Sequence, residues 1–449
     1  MPLCRIGREE RWNKGTAIRE IPLFSLADLR PAWYTGKNIP RKGEDVVSIG
    51  GRIRLGLSAL LLAAVLTLSG CFSVLMPFGT PSSADGGAQS SQAAARAVAP
   101  PEDAPTVEGL TPLARDDYGG IAYLCSRPGA ERLVDAYYRL AAGVEKCEDN
   151  IRLYDGENSI TVDELPMVYA CYRSDFPQHF WLDGYSYYHE GDVVSDVQPC
   201  YLLQYGETLV SGRQAMEDAA VQLLAGVGDS LSEYERVLRI HDALCGWMTY
   251  GDEAVGGTYI HTAYGALFNR IAVCDGYARA FQYLLHKAGI RTMMVYGESE
   301  NPDTGENEGH AWTIVYIDGE PYHFDVTWDD QDYLSYAYFG LTTAQVEEDH
   351  IITGNDYEVP VCTATQANYF VRSGGLLTGC DLSAVAELLR QGGGTARIYL
   401  AQGDVDAFLD WFIADETGRQ LAEELGIYGR FTISYSFIGR EALLSLAES

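Results

Sequence analysis

The chain has 449 residues, 47% of them hydrophobic and 21% charged, which is long enough for two or three domains and apolar enough that most of it should fold. A formal charge of −31 argues against nucleic acid as a partner and suits a soluble domain kept off anionic polymers. The ten Cys include no Cys-x-x-Cys pair, and His241, His261, His286, His310 and His323 lack ligand spacing, so no metal or cofactor is expected.

Residues 1–50 show no sustained periodicity and form an N-terminal extension of uncertain status. Arg52 and Arg54 then precede Leu55–Leu68, an apolar stretch that is short for a bilayer span and right for the apolar region of a signal peptide. It runs into Leu68-Ser69-Gly70-Cys71, which resembles the lipobox of bacterial lipoproteins. Residues 51–71 are therefore expected to be a lipoprotein signal peptide, cleaved before Cys71 and lipidated on its sulfur. An uncleaved short anchor is the alternative. Translation starting near Val46 or Val47 would give the signal an ordinary length.

Residues 72–117 are expected to be a disordered tether, since the stretch 77–107 is rich in Pro, Ser, Ala, Gly and Gln. An N-terminal α+β region follows over 118–210. In it Leu133, Tyr137, Leu140, Ala141 and Val144 share one face of a helix over Ala130–Glu145. A second helix is expected over Thr161–Arg173, and short strands over Tyr185–Tyr188, Val193–Val197 and Tyr201–Tyr205. No chemistry is evident here, and His179 and His189 are expected at the surface.

The central core is expected over 211–361. A helix near Gln214–Leu224 opens it, and a second begins at the capping box Ser232-x-x-Glu235, with His241 on its buried face as a satisfied core histidine. Tyr277, Ala280, Phe281, Leu284, Leu285 and Ala288 then recur at helical spacing after Cys274, and Gly289 stops the helix. Cys274 thus stands at a helix N-terminus, where N–H groups and the dipole favour thiolate and can hold an oxyanion. Asp318-Gly319 signals a two-residue hairpin between a strand from His310 to Ile317 and a return strand from Glu320 to Trp328. Pairing Ile317 with Glu320 makes His310 and Asp325 diagonal neighbours on one face, about 7–8 Å apart at Cα and within bridging reach. The carboxylate can then orient the imidazole, and the imidazole can deprotonate the thiol. Between them, the stretch from Gly297 to Gly309 carries five acids and no base and is expected to be a solvated loop, or an acidic rim selecting basic substrates. Asp329, Asp330 and Asp332 are expected in a solvated turn, since they lack a calcium-loop pattern.

The segments His261–Leu267, Val273–Ala278, Gly309–Trp312 and Tyr322–Trp328 resemble those of the bacterial transglutaminase-like superfamily, whose core is papain-like. The resemblance spans roughly Ser230–Asp349. It implies a Cys–His–Asp triad of Cys274, His310 and Asp325, and an activity among protein crosslinkers, peptide hydrolases and inactive scaffolds. The expected fold is α+β: a helix-borne Cys, an antiparallel sheet with His and Asp, and α+β regions on either side. The last of these, over 362–449, should hold strands at Tyr369–Val371, Ala396–Leu400 and Phe431–Tyr435, with helices at Leu382–Gln391, Val405–Ile413 and Thr417–Leu425. The whole points to a lipid-anchored, extracytoplasmic thiol enzyme acting on protein or peptide amides, cell-wall peptide among them, with hydrolysis favoured over crosslinking. The alternative is an inactive module that binds cell-wall glycan or peptide. Leaving aside Cys4, Cys71 and Cys274, the remaining seven Cys are expected mostly as buried thiols, with one bridge left open.

Overall fold

The computed structural model describes residues 15–19, 107–251, 257–300, 307–331, 333–428 and 431–448. Leu55–Leu68 and Cys71 lie outside them. No helix among the described residues is long and apolar enough to cross a membrane.

Folded structure begins earlier than the tether assignment to residue 117. Leu110 is buried, the Leu113 N–H donates to the His286 carbonyl at 2.8 Å, and Thr111 Oγ1 donates to Asp229. The apolar Leu110 and Leu113 override the Pro-rich flank once a core surface is available to cover them. After a strand β1 (Gly15–Arg19), the next elements are helices α1 (Gly119–Cys125) and α2 (Ala130–Glu145), strand β2 (Ile151–Arg152) and helix α3 (Leu165–Asp175). Asp175 ties the three helices together. It is fully buried and accepts from the N–H groups of Gly120 and Ile121, both at 2.8 Å, and from the Tyr137 hydroxyl at 2.7 Å. Burial pushes this carboxyl up to about 7 despite those donors.

A hairpin of β3 (Leu182–Glu190) and β4 (Val193–Tyr201) completes the region, in the order β2-β4-β3. The expected strand at Tyr201–Tyr205 does not form; β2 takes the third place, because Ile151 buries its side chain where residues beyond Tyr201 turn toward solvent. His179 is also not at the surface. It is buried, with Nδ1 2.7 Å from the Tyr172 hydroxyl and Nε2 3.0 Å from Glu145. His189 is exposed as expected.

The core contains helices α4 (Glu207–Leu223), α5 (Glu233–Trp247) and α6 (Cys274–Lys287), with a short parallel pair β5 (Thr249–Tyr250) and β6 (Ile271–Ala272) before α6. The Ser232–Glu235 capping box is formed at α5. Helix α6 packs on an antiparallel sheet of β7 (Thr292–Glu300), β8 (Asn307–Ile317), β9 (Glu320–Phe324), β10 (Phe339–Leu341) and β11 (His350–Ile352), in the order β10-β9-β8-β7-β11. Ile317 pairs with Glu320 as the hairpin signal requires, and Asp318 and Gly319 both take positive φ, of 54° and 87°.

Two expectations fail in this sheet. The described parts of the stretch Gly297–Gly309 are strand, since β7 and β8 stay paired out to Glu300 and Asn307; the loop assignment for 301–306 lies outside the described residues. The return strand ends at Phe324, since Asp325 Oδ1 accepts from the N–H groups of Thr327 and Trp328 and caps a helical turn, α7 (Val326–Asp329).

After α8 (Thr343–Val346), residues Cys362, Ala367 and Phe370 still belong to the core's apolar interior, so the boundary falls later than Cys362. The strand expected at Tyr369–Val371 is instead a helical turn, α9 (Tyr369–Ser373), capped by the Asn368 side chain. A separate apolar cluster starts at Leu377. It comprises β12 (Leu376–Leu377), α10 (Leu382–Gln391), β13 (Thr395–Leu400), α11 (Val405–Phe412), α12 (Asp415–Glu424), β14 (Phe431–Ile438) and β15 (Glu441–Glu448), with the sheet order β1-β14-β15-β13-β12. Buried Glu441 joins this module to the core: it accepts from Ser335 Oγ at 2.6 Å, the Tyr336 N–H at 2.9 Å and Arg397 at 2.9 Å.

Candidate active site

Cys274 is the first residue of α6, and its half-buried side chain packs, as does Tyr296, against the small cluster of Ala278, Met294 and Ala311. The start of this helix is held by Gly276. A Cβ there would stand 2.6 Å from the Ile260 carbonyl oxygen and from the Ala272 side chain, so only glycine lets the turn approach so closely. The cluster that Cys274 packs against draws on β8 through Ala311, and the helix packs on that strand, which also carries the expected base His310. The first N–H groups of any helix have no partner within it, and at this end they favour negative charge.

His310 and Asp325 meet directly. His310 Nε2 donates to Asp325 Oδ2 at 2.6 Å, and both side chains are buried. The diagonal placement expected from the hairpin register becomes a hydrogen bond, although Asp325 lies just past the end of β9. With Nε2 committed to the carboxylate, Nδ1 is the nitrogen that would serve the thiol. Burial opposes the Asp325 carboxylate, yet His310 and His350 hold its pKa well below the usual carboxylate range.

A third member went unnoticed in the sequence. His350, at the start of β11, places Nε2 3.2 Å from the same Asp325 Oδ2 and Nδ1 2.5 Å from Asp349 Oδ1. Burial disfavours its cation, but hydrogen bonds and charge from Asp325 and Asp349 carry it up to about 9. With a carboxylate oxygen beside each nitrogen, the ring is placed to donate from both, the arrangement that favours the imidazolium. Nothing in local periodicity marks it; the only cue was an acid immediately before it. His310, Asp325 and His350 lie close enough to share a metal ion, with donor atoms within 4.8 Å of one another. One carboxylate oxygen accepting from two imidazole N–H groups satisfies the same atoms without one.

Aromatic rings fix the imidazoles. The His310 ring lies 5.9 Å from Trp312 and 5.8 Å from Trp328 between centroids, and Trp328 lies 4.6 Å from His350. The Trp312 indole N–H donates to His323 Nδ1 at 3.0 Å, and His323 Nε2 donates to Thr343 Oγ1 at 3.1 Å. Gly297, paired with His310, leaves room for that indole: a Cβ would lie 2.6 Å from Trp312 and 2.2 Å from the Ile351 carbonyl oxygen.

His241 sits in the core between Asp242 and Asp329, each at 3.1 Å. Asp329 is thus fully buried rather than part of a solvated turn, because His241 and the Tyr338 N–H satisfy it. The eight cysteines among the described residues are all free thiols.

A helix-borne cysteine packed on an antiparallel sheet that carries a His–Asp pair defines a papain-like α+β core. Residues 221–326 match the family model of the transglutaminase-like superfamily, and this stretch is a transglutaminase-like core. The match includes Cys274, His310 and Asp325 and stops short of His350.

Among solved structures, a transglutaminase is 14% identical over 32% of this chain and 44% of its own, with a TM-score of 0.23. A candidate cysteine protease of Cytophaga hutchinsonii is 16% identical over 36% and 57%, with a TM-score of 0.23. A candidate protease of Parabacteroides distasonis is 8% identical over 59% and 61%, with a TM-score of 0.25. The chain thus spans less than two thirds of each, and likeness at this level carries no argument about activity. No curated protein matches the chain.

Proposed function

We propose that the protein is a thiol enzyme acting on peptide or glutamine amides through an acyl-enzyme. The observation that carries this reading is the His310–Asp325 hydrogen bond, made on the strand against which Cys274 packs at its helix start. His310 takes the proton from Cys274, and the thiolate attacks the amide carbonyl. The negative oxygen of the tetrahedral intermediate faces the helix N-terminus. Collapse expels the amine, which takes the proton from His310, and leaves a thioester on Cys274. Water, deprotonated by His310, then releases the acid and restores the thiol; an amine in its place would give a crosslink.

Hydrolysis is favoured. Only Trp312 and Trp328 stand near the imidazole among the described tryptophans, too few to wall a dry channel for an amine, and bulk water outnumbers any amine. The intact His–Asp pair favours an enzyme over an inactive module that binds cell-wall glycan or peptide. Lipidation at Cys71 would anchor the enzyme to the membrane facing outside the cytoplasm, where cell-wall peptide is an available substrate class. Cleavage before Cys71 would also remove β1, so the mature lipoprotein would leave the β14 edge of the C-terminal sheet bare.

Incubating the protein with glutamine-containing peptides and a labelled primary amine tests the chemistry. Release of ammonia or cleaved peptide that is abolished by Cys274→Ala supports the reading. Turnover that survives Cys274→Ala refutes it.

A further inference from the structure

We propose that His350 is a positioning residue of this site, bridging Asp349 and Asp325 so that Asp325 Oδ2 is presented to His310 with a fixed geometry and a reduced net charge. The inference rests on the reading of Cys274, His310 and Asp325 as the reacting machinery, and it concerns a residue outside the segment that matches the family model.

Both oxygens of Asp325 are committed. Oδ1 receives the Thr327 and Trp328 N–H groups at 2.9 and 3.2 Å, which fixes the carboxylate plane from one side. Oδ2 receives His310 at 2.6 Å and His350 at 3.2 Å. Without His350 the carboxylate would be anchored on one side only, and its second oxygen could swing with the imidazole it is meant to hold.

His350 is itself held. Its Nδ1 donates to Asp349 Oδ1 at 2.5 Å, and Asp349 Oδ2 accepts from the Tyr338 hydroxyl. Its ring is walled by Trp328 at 4.6 Å, Trp312 at 5.0 Å, His310 at 5.2 Å and Tyr338 at 5.5 Å between centroids. The groups that face it with charge or titratable protons are thus Asp325, Asp349, His310, His323 and Tyr338, two acids against two neighbouring imidazoles, of which burial keeps His323 neutral. Burial works against the cation, and the two carboxylates outweigh it, carrying the group up to about 9. A structural ion pair would serve packing alone; a positioning residue must also change how Cys274 responds to pH.

The test is site-resolved alkylation of Cys274 by iodoacetamide in the full chain from pH 5 to 10, read by mass spectrometry, with the exposed thiol Cys380 as internal reference. His350→Phe keeps a ring and removes both donors. His350→Gln keeps an N–H for Asp325 and carries no charge. His350→Phe should slow Cys274 by about tenfold at pH 7, the scale of one charge-assisted hydrogen bond, and His350→Gln should recover most of that loss. The wild-type profile should show a step near pH 9 that both variants lack. Profiles of both variants that superimpose on the wild type overturn the proposal. Should His350→Phe fail to fold, His350→Gln and Asp349→Asn decide. The alkaline step must vanish in the first and move to lower pH in the second, and an unchanged step in both refutes the role. One equivalent of zinc bound to the wild type and lost in His350→Gln would assign the trio to a metal and equally overturn it. A wild-type Cys274 no faster than Cys380 would instead break the underlying enzyme reading, which keeps the two failures apart.

Discussion

The indole N–H of Trp312 donates to Nδ1 of His323, so the ring stacked beside His310 is pinned by a histidine on the neighbouring strand. That bond requires His323 to be neutral at Nδ1. Burial, with help from the nearby His350 cation, pushes His323 down to about 3. A histidine with a depressed folded pKa stabilises the fold above its unfolded value of about 6.5, and the contribution is lost as pH falls toward 3.

His323→Leu should therefore destabilise the protein by about 1–3 kcal/mol at pH 7, since the Trp312 N–H is left buried without an acceptor. His323→Asn, whose amide oxygen can take the place of Nδ1, should be milder. The gap between wild type and His323→Leu should narrow as pH drops below 6. Urea melts at pH 7 and pH 4.5 measure it, and a gap that widens on acidification contradicts the assignment.

His241 carries the opposite sign. Burial disfavours its charge, but Asp242 and Asp329 outweigh that and raise it to about 9. Its contribution is complete below about 6.5 and disappears as pH rises through 9. Thermal melts of His241→Phe should fall furthest below wild type at pH 6 and approach it by pH 10. A difference independent of pH would mean that the ring packs against Tyr336 and Phe339 without its charge mattering.

Asp325 does two jobs with two oxygens, and Asn can separate them. Asparagine is as good a helix cap as aspartate, so the α7 start should survive Asp325→Asn, and stability should fall only by what the buried His350 cation loses with one of its two acids. The charge facing His310 is gone, and amide turnover should fall by about 10²–10⁴-fold. Calorimetry beside kinetics checks the split. A stability loss in Asp325→Asn well beyond that of His350→Gln would show that the cap fails too and that the two roles are not separable.

Much of this site was legible because its parts are local. A helix start at Cys274, a two-residue turn at Asp318-Gly319 and the strand from His310 to Ile317 are each set by a few neighbouring residues, and the turn alone fixes the register that joins His310 to Asp325. What escaped depends on distant partners. His350 enters through β11, which pairs with β7 some fifty residues upstream, and no pattern within its own three-residue strand announces that. His179 and Asp329 were expected in solvent because charged and polar residues usually are. Each is buried through an opposite or hydrogen-bonding partner, Glu145 and His241, that lies far away in sequence. The return strand is shorter than its sequence suggests, because the apolar alternation continues through Trp328 while the Asp325 cap ends the strand sooner.

Gly297→Ala tests how tightly the site is built. The added methyl group meets the Ile351 carbonyl and the Trp312 indole, so β11 and the indole must shift. Turnover should drop and the melting temperature should fall with it. A fully active, fully stable Gly297→Ala would show that the pairing of β7 with β11 is looser than the contacts imply.

The most direct measurement is capture of the acyl-enzyme. Acid quenching during turnover of a glutamine peptide, followed by digestion and mass spectrometry, should find the acyl group on Cys274 as a thioester that hydroxylamine releases, and none in Cys274→Ala. Turnover with no acyl group on Cys274, or an adduct on another residue, would contradict the account.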